Sequence, residues 1–388
     1  MKINHLIVIC LTLALYSCTK ELEQLHITGS VQGFTTHTEV SLLDSETRKV
    51  LDSTVICDGA FTLRAQLDQA PKKLRIEFIG SEIKDNRDAQ IFVANEAVTL
   101  TATKDDFQNS FTVQGSKHHD IKATFDALVS PLEEKRFSEL QKMIAIRNAG
   151  NWNDSLQDAY WGKNGKMTLF DNQYEAIQRD FIATHINSYY GLDLLSSSRK
   201  YQSPAFIQTQ LASLTTTFKD TEEAKMLALF LETTPLKVND AFYDFNAENI
   251  HGEQMALSDL MESQDKYTLL EFYSPYCGWC IAAVPDIKKL EQTQADKLEV
   301  ISINVHRDKQ KWLDDHQSLH PERKSLLLDK GDQSKPYLKY DIAGTPTYYL
   351  LNPTGKIVKK WTGFDEYFSA SLIKTLNEDQ PLTLVNGR

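Results

Sequence analysis

The chain has 388 residues, of which 41% are hydrophobic, so it is long enough for two or three domains with sizeable cores. Its 42 basic and 53 acidic side chains give a net charge of −11, which disfavours sequence-independent binding to nucleic acid. No apolar run reaches the roughly 20 residues that a membrane-spanning helix needs. Five cysteines are too few for a disulfide-rich scaffold, so each one needs its own interpretation.

Residues 1–17 have the pattern of a secretory signal peptide. Lys2 is positively charged, and residues 6–15 form an apolar stretch that is too short to span a bilayer. Ser17-Cys18 ends this stretch as in a lipoprotein box, in which the cysteine is lipidated and the chain is cut before it. We therefore expect a lipid anchor on Cys18, a polar tether over residues 18–24 and a location in the cell envelope, facing the periplasm. Ordinary secretion is the alternative, and the pattern does not distinguish the inner from the outer membrane.

Residues 25–116 predict a small all-β domain, either a sandwich or a barrel. Short runs rich in Val, Ile, Thr and Phe alternate with turn residues such as Asp58-Gly59. Cys57 follows an apolar pair and is interpreted as a small buried hydrophobic residue. No catalytic grouping is visible in this region. The predicted strands cover residues 25–31, 39–43, 61–67, 74–79 and 97–103.

Residues 117–235 predict an α-helical region. Ile121, Phe125 and Val129 recur at the spacing of one helix face. His118 and His119 are adjacent, and neighbouring side chains on a helix point about 100° apart, so they are poorly placed to share a metal. We interpret this pair as the solvated start of a helix.

Residues 236–388 alternate strands with helices, which predicts an α/β domain with one sheet covered by helices on both faces. Asn352-Pro353-Thr354-Gly355 is a good turn sequence for a hairpin. The predicted strands cover residues 267–273, 298–305, 325–328, 347–351 and 356–361, and the predicted helices cover residues 278–294, 308–318 and 368–376.

The chemistry of this last region is predicted at Cys277-Gly278-Trp279-Cys280. The two cysteines follow an apolar strand and open a helix. Unpaired backbone N–H groups and the dipole at a helix start stabilise a thiolate, so Cys277 is the candidate attacking nucleophile. Cys280 lies one turn inside the helix and is the candidate resolving thiol, which would close a Cys277–Cys280 redox disulfide.

The cysteine pair has two other interpretations. His316 and His320 lie downstream and could complete a zinc site, but the 35 intervening residues far exceed the usual gap of roughly 12–15. These histidines stand among acidic residues, which indicates a solvated helix end. A purely structural disulfide would close only a four-residue loop, so its entropic gain would be small.

The stretch from Leu269 to Cys280 resembles the active-site segment of thioredoxin-fold oxidoreductases, protein disulfide isomerases in particular. Pro285, inside the helix after Cys280, matches the kink proline of that fold, and Gly344-Thr345-Pro346-Thr347 resembles its cis-proline loop. With the lipoprotein box and the β and helical regions, the whole chain resembles the TlpA/ResA-like lipoproteins of Bacteroidota.

The resemblance implies roles for three further residues. Glu271 stands where thioredoxins carry a buried acid, which implies a proton relay to Cys280. Pro346 would be cis and would bring Thr345 beside the disulfide, where a substrate strand could pair with the main chain. Many members of this group have a Pro before the second cysteine and a Glu three residues after it, whereas this chain has Trp279 and Ala283. Glu271 would therefore act without a second acid.

The function expected from these features is a lipid-anchored thiol-disulfide oxidoreductase that reduces protein disulfides. It would need no cofactor or metal beyond its two thiols. Its expected partners are protein disulfide or dithiol substrates, a membrane electron donor or acceptor, and the membrane that holds the anchor, with no nucleic acid. A disulfide oxidase or isomerase of the same fold is one alternative, and a non-catalytic binding or assembly lipoprotein is another.

Overall fold

The structure is a computed structural model that describes residues 23–261 and 265–378. Within these ranges the strands are β1 (Leu25–Gln32), β2 (Glu39–Asp44), β3 (Val50–Val55), β4 (Ala60–Ala65), β5 (Lys72–Ile79), β6 (Arg87–Val93), β7 (Ala97–Thr103), β8 (Thr112–Gln114), β9 (Asn246–Asn249), β10 (Gln254–Ala256), β11 (Tyr267–Tyr273), β12 (Leu298–Asn304), β13 (Lys324–Leu327), β14 (Thr347–Leu351) and β15 (Ile357–Thr362). The helices are α1 (Phe107–Ser110), α2 (Lys117–Asn148), α3 (Asp154–Trp161), α4 (Lys166–His185), α5 (Tyr189–Ser198), α6 (Pro204–Ala212), α7 (Thr216–Lys219), α8 (Glu222–Glu232), α9 (Gly278–Thr293), α10 (Lys309–Leu319), α11 (Lys335–Lys339) and α12 (Phe368–Glu378).

The first eight strands form two four-stranded sheets, in the orders β4-β1-β7-β8 and β3-β2-β5-β6. Alternate residues of each sheet turn inward, as Phe61, Leu63 and Ala65 do on β4, and both sheets contribute to one apolar cluster. The predicted all-β domain is therefore confirmed as a sandwich. The sequence patterns missed β3, β6 and β8, which all lie at sheet edges, where strands carry more polar residues and the alternation is weaker.

Cys57 is exposed, so the prediction that it is buried is wrong. Ile56 fills the core position and is 1% exposed, and the side chain that follows on an extended chain points the other way. Cys57 and Ala60 then pair across a two-residue turn in which Asp58 and Gly59 both have positive φ. That backbone conformation is typical of a tight hairpin turn and accounts for the glycine.

Helices α2 to α8 form the predicted helical region, and its core includes Phe92 from β6, so the sandwich packs directly against the helices. Ser116 caps α2, and its hydroxyl donates to the Phe92 carbonyl at 2.9 Å. His119 is 6% exposed and accepts a hydrogen bond from the Phe92 N–H at Nδ1. The prediction of a solvated histidine pair is therefore wrong for His119, because the first turn of α2 lies against β6.

The last part of the chain folds around a seven-stranded sheet, in the order β10-β9-β13-β12-β11-β14-β15. The central strand β11 runs parallel to β12 and antiparallel to β14, and every residue in it is buried. Leu269 packs against α9 and α12 on one face. Phe272 packs on the other face, against the segment that carries Tyr340. This confirms the predicted α/β sheet with helical elements on both faces.

None of the helices in the described ranges is long and apolar enough to cross a membrane. The changes from strands to helices near residue 116 and from helices to the mixed sheet near residue 235 follow the predicted regions, but the exact domain boundaries stay predictions.

Candidate active site

The cysteine pair lies where the central strand gives way to a helix. β11 ends at Tyr273, and a short loop leads to Cys277, which caps the N-terminus of α9. The backbone N–H of Cys280 donates to Cys277 Sγ at 3.2 Å. Cys277 is half-buried and Cys280 is 4% exposed, and both thiols are free. The sequence therefore places one thiol at the surface and the other directly behind it.

The loop before β14 brings a third element to the thiols. The Thr345–Pro346 peptide bond is cis, as the resemblance implies. Cys277 Sγ donates to the Thr345 carbonyl oxygen at 3.2 Å. The structure thus brings together four of the predicted site residues, Cys277, Cys280, Thr345 and Pro346, although their roles in catalysis stay predictions.

The two thiols have different surroundings. Cys280 packs in a small apolar cluster with Tyr273, Trp312 and Leu327. Burial, and secondly the hydrogen bond with Cys277, raises the pKa of the Cys280 thiol. Cys280 therefore stays protonated in the dithiol form, whereas Cys277 has a backbone N–H directed at its sulfur.

Glu271 is buried in the middle of β11, at 4% exposure, on the same sheet face as Leu269. Its carboxylate accepts hydrogen bonds from Ser302 Oγ at 2.8 Å, from Arg323 Nη1 at 2.9 Å and from the Tyr348 hydroxyl at 3.4 Å. The buried carboxylate therefore has three hydrogen-bond donors around it. Burial first and the charge of Glu271 second raise the pKa of Tyr348, which stays a donor.

Arg323 was not predicted as a site residue. Its side chain is 2% exposed and lies between two carboxylates, Glu271 and the Glu291 of helix α9. Nε and Nη2 reach the two oxygens of Glu291 at 2.8 and 2.9 Å. This bidentate pairing fixes the guanidinium directly beneath the active-site helix. No local sequence signal indicates the arrangement, because 52 residues separate Arg323 from Glu271.

A small cavity of about 10 Å³ connects the second thiol to this ion pair, and Cys280, Glu271, Arg323 and His320 all line it. Its size is close to that needed for one water molecule. Cys280 and Glu271 are therefore neighbours across a space that a single water molecule could bridge.

His316 and His320 are both 5% exposed, so the prediction of a solvated helix end is wrong. Helix α10 turns them inward, where the His320 ring lies 5.7 Å from the Tyr273 ring. Burial first and the Arg323 charge second lower the pKa of His320 to about 3. Within the described ranges, no three His, Cys, Asp or Glu side chains are grouped so that they could hold a metal ion.

Exposed apolar side chains flank the half-buried Cys277 thiol. Trp279, Ile281 and Tyr276 are 67%, 48% and 45% exposed, and they flank Cys277 on the loop and the first turn of α9. Large exposed apolar side chains that lie next to one another are typical of contact surfaces. Cys18, the predicted lipidation site, lies outside the described residues.

Two family models match the chain. Residues 238–360 match the AhpC/TSA family, and residues 25–121 match a domain of unknown function, DUF4369. The DUF4369 match covers the sandwich and the start of α2, and the AhpC/TSA match covers most of the seven-stranded sheet, which makes the sheet domain thioredoxin-like.

The chain is 28% identical over 120 residues to the thioredoxin-like protein YneN of Bacillus subtilis. The aligned region covers 29% of this chain and 65% of YneN. It is 27% identical over 138 residues to the thiol-disulfide oxidoreductase ResA of Halalkalibacterium halodurans. That aligned region covers 34% of this chain and 73% of ResA. The chain thus spans less than two thirds of YneN. Among solved structures, the thioredoxin domain of a thiol-disulfide oxidoreductase from Bacteroides vulgatus shares 23% identity, covers 37% of this chain and 99% of its own, and has a TM-score of 0.33.

Proposed function

We propose that this protein is a thiol-disulfide oxidoreductase that reduces protein disulfides through Cys277 and Cys280, and the match of residues 238–360 to the AhpC/TSA family supports this. The observation that carries the proposal is the asymmetry of the two thiols. One is accessible at a helix N-terminus, and the other is buried three residues later with a raised pKa. A nucleophile and a resolving thiol need this difference.

In the first step the Cys277 thiolate attacks one sulfur of the substrate disulfide. A new S–S bond forms between protein and substrate, the substrate's own S–S bond breaks, and the released thiolate takes up a proton. The Cys280 N–H and the start of α9 stabilise the attacking sulfur. The cis-proline loop at Thr345 offers main-chain groups to the chain that flanks the substrate sulfur.

In the second step Cys280 attacks Cys277 Sγ, the reduced substrate leaves, and the Cys277–Cys280 disulfide forms, so that two electrons pass to the substrate. Cys280 must first lose its proton. Glu271, across the small cavity, is the proposed acceptor through one water molecule, and it would return the proton when the disulfide is reduced again.

The proposed enzyme also has a location and an electron source. A lipid on Cys18 would hold the protein in the cell envelope, with the redox domain facing the periplasm. A membrane electron donor would return the Cys277–Cys280 disulfide to the dithiol. The support for the anchor is the sequence pattern alone, and the preference for reduction over oxidation comes from the resemblance to reductases of this fold.

Insulin reduction by the chain, in the presence of dithiothreitol, tests the activity. We expect faster precipitation of the insulin B chain with the wild-type protein and no acceleration with Cys277→Ser. A wild-type rate equal to the dithiothreitol background would reject catalysis and favour a non-catalytic binding role.

The redox potential separates a reductase from an oxidase or isomerase. Equilibration with glutathione should place the Cys277–Cys280 couple near the thioredoxin end of the known range, which runs from about −270 to about −120 mV. A potential of about −120 mV, the upper end of this range, would instead indicate a disulfide oxidase. In parallel, Cys280→Ser cannot resolve the mixed disulfide, so it should retain natural substrates covalently on Cys277.

A further inference from the structure

The β domain touches the active-site loop directly. The turn that follows β2, residues 45–49, carries Arg48, whose guanidinium carbon lies 5.1 Å from the ring centroid of Tyr276. Tyr276 immediately precedes Cys277. In the same turn, Glu46 pairs with Arg307 of the sheet domain. Two separate contacts therefore connect this turn to the surroundings of the attacking thiol.

The turn is held in shape by its own hydrogen bonds. Asp44 Oδ1 accepts from the backbone N–H groups of Glu46 and Thr47, both at 3.0 Å. Arg48 adopts a positive φ of 61°, and its Nη2 pairs with Glu77 Oε1 at 2.7 Å. A turn fixed in this way is a rigid wall rather than a loose loop.

Tyr276 also contacts other residues of the sheet domain. Its hydroxyl donates to Asp308, and its ring lies 4.7 Å from that of His306. Partial burial first and the Asp308 carboxylate second raise the pKa of Tyr276 to about 12, so the phenol stays a donor near neutral pH. The residue before the nucleophile is thus held between the β domain and the sheet domain.

A cleft of 380 Å³ opens beside this contact, and all three parts of the chain line it. One end of the cleft reaches Thr345, whose carbonyl accepts the hydrogen bond from Cys277 Sγ. The volume lies within the roughly 300–1,000 Å³ of typical ligand pockets. Its lining includes Glu46 and Lys73 of the β domain, Asp193 and Arg199 of the helical region, and Arg307 and Thr345 of the sheet domain.

We infer that this cleft binds an extended polypeptide segment next to the substrate's disulfide, and that the turn carrying Glu46 and Arg48 is a specificity-determining wall of the site. The inference rests on the proposed function and deepens it. A cleft of 380 Å³ has room for a few residues of extended chain but not for the surface of a folded protein. Its polar lining of both charge signs suits the donors and acceptors of a main chain.

The test compares two substrates that release the same coloured thiol. One is cysteine amide joined by a disulfide to thionitrobenzoate, and the other is an unstructured twelve-residue peptide whose central cysteine carries the same group. Gln90→Trp places a large side chain in the cleft from β6. Glu82→Trp, on an exposed residue outside the cleft, is the matched control.

The quantity compared is the ratio of kcat/KM for the peptide to kcat/KM for cysteine amide. We expect Gln90→Trp to lower this ratio at least tenfold, mainly by raising KM for the peptide. Glu82→Trp should leave the ratio within twofold of the wild-type value. Arg48→Gly suits the positive φ of that position but removes the guanidinium, and it should lower the same ratio about threefold by loosening the wall. Arg48→Lys should restore part of the ratio, because it keeps the cation. Thermal unfolding of each variant shows whether it is folded.

Equal effects of Gln90→Trp on both substrates, or no effect of either Gln90→Trp or Arg48→Gly on the ratio, would overturn the inference while leaving the proposed function intact. If the wild-type chain reacts with neither substrate, the proposed function fails. In that case the binding of a fluorescent peptide, in which serine replaces the cysteine so that no disulfide can react, is measured by fluorescence anisotropy for the wild-type chain and for Gln90→Trp. Binding that Gln90→Trp weakens at least tenfold supports the cleft, and equal binding by both proteins rejects it.

Discussion

Replacing Arg323 by Met should destabilise the thioredoxin-like domain more than almost any other single change in a charged side chain. The guanidinium is 2% exposed and is bonded to Glu271 and to both oxygens of Glu291. Met is similar in length and fills much of the same space, so the loss of the positive charge dominates the effect.

The size of the effect follows from what remains behind. Without Arg323, Glu271 stays buried with only the Ser302 and Tyr348 hydroxyls as partners. Removing one partner of a buried ion pair costs about 3–5 kcal/mol, because it leaves an uncompensated charge. Glu291 is 29% exposed and can turn to water, so it adds little to this cost.

Hydrogen exchange under increasing urea, read by mass spectrometry on the peptide that contains β11, measures this cost in the full chain. The amides of a buried central strand report the global opening of their domain. Lys374→Met is the control, because Lys374 and its partner Glu378 are 72% and 66% exposed, and we expect no measurable change. In the double variant Glu271→Gln with Arg323→Met, no buried charge is left alone, so part of the stability should return.

Two results would refute this reasoning. One is a loss below about 1 kcal/mol in Arg323→Met, which would mean that water reaches Glu271 and screens it. The other is a double variant that is no more stable than Arg323→Met, which would mean that the loss comes from packing rather than from the unpaired carboxylate.

Three further predictions follow from the same structure. Iodoacetamide at neutral pH should modify Cys277 rapidly and leave Cys280 unmodified even in Cys277→Ser, because burial raises the pKa of Cys280; mass spectrometry gives the site, and rapid labelling of Cys280 would contradict its burial. Glu271→Gln should slow the attack of Cys280 on the mixed disulfide, measured by stopped flow, by about 10²-fold near pH 7 and by less at higher pH. A slowing that does not vary with pH would exclude the proton relay. Burial lowers the pKa of His119 to about 4. As the pH falls below about 6.5, His119 is therefore protonated in the unfolded chain but stays neutral in the folded chain. The free energy of unfolding should then fall by about 1.4 kcal/mol per pH unit between about pH 6.5 and 4 because of this group. His119→Asn keeps an acceptor without titrating, so urea unfolding should show a shallower slope, and an unchanged slope would assign the acid sensitivity to other groups.

The cysteine site could be predicted because its signals are local. An apolar run that ends in a loop, two cysteines one helical turn apart and a proline in the following helix lie within about twenty residues. Each feature fixes a short piece of backbone whose geometry hardly depends on the rest of the chain. The orientation of Cys277 and Cys280 follows from their positions at the cap and in the first turn of α9.

The errors and omissions concern burial, which depends on distant segments. His119, His316 and His320 lie in polar surroundings in the sequence, yet the helices that carry them turn these side chains toward a neighbouring strand or the core. Cys57 follows an apolar pair, yet the alternation of the strand turns it outward. Arg323 reaches the site only because β13 lies beside β12, and that pairing cannot be inferred from the residues around it.

The contact between Arg48 and Tyr276 changes how the β domain and the helical region, residues 25–235, are understood. Composition alone is compatible with regions that position the redox domain, present a partner or form a dimer. Under the proposed function, a β-domain turn held against the residue before the nucleophile makes substrate choice depend on the β domain, whereas thiol reactivity depends on α9 and its surroundings. Substitutions in the turn should therefore change which disulfides are reduced without changing how fast Cys277 reacts with a small reagent. Substitutions around Cys280 should change the resolving step for every substrate alike.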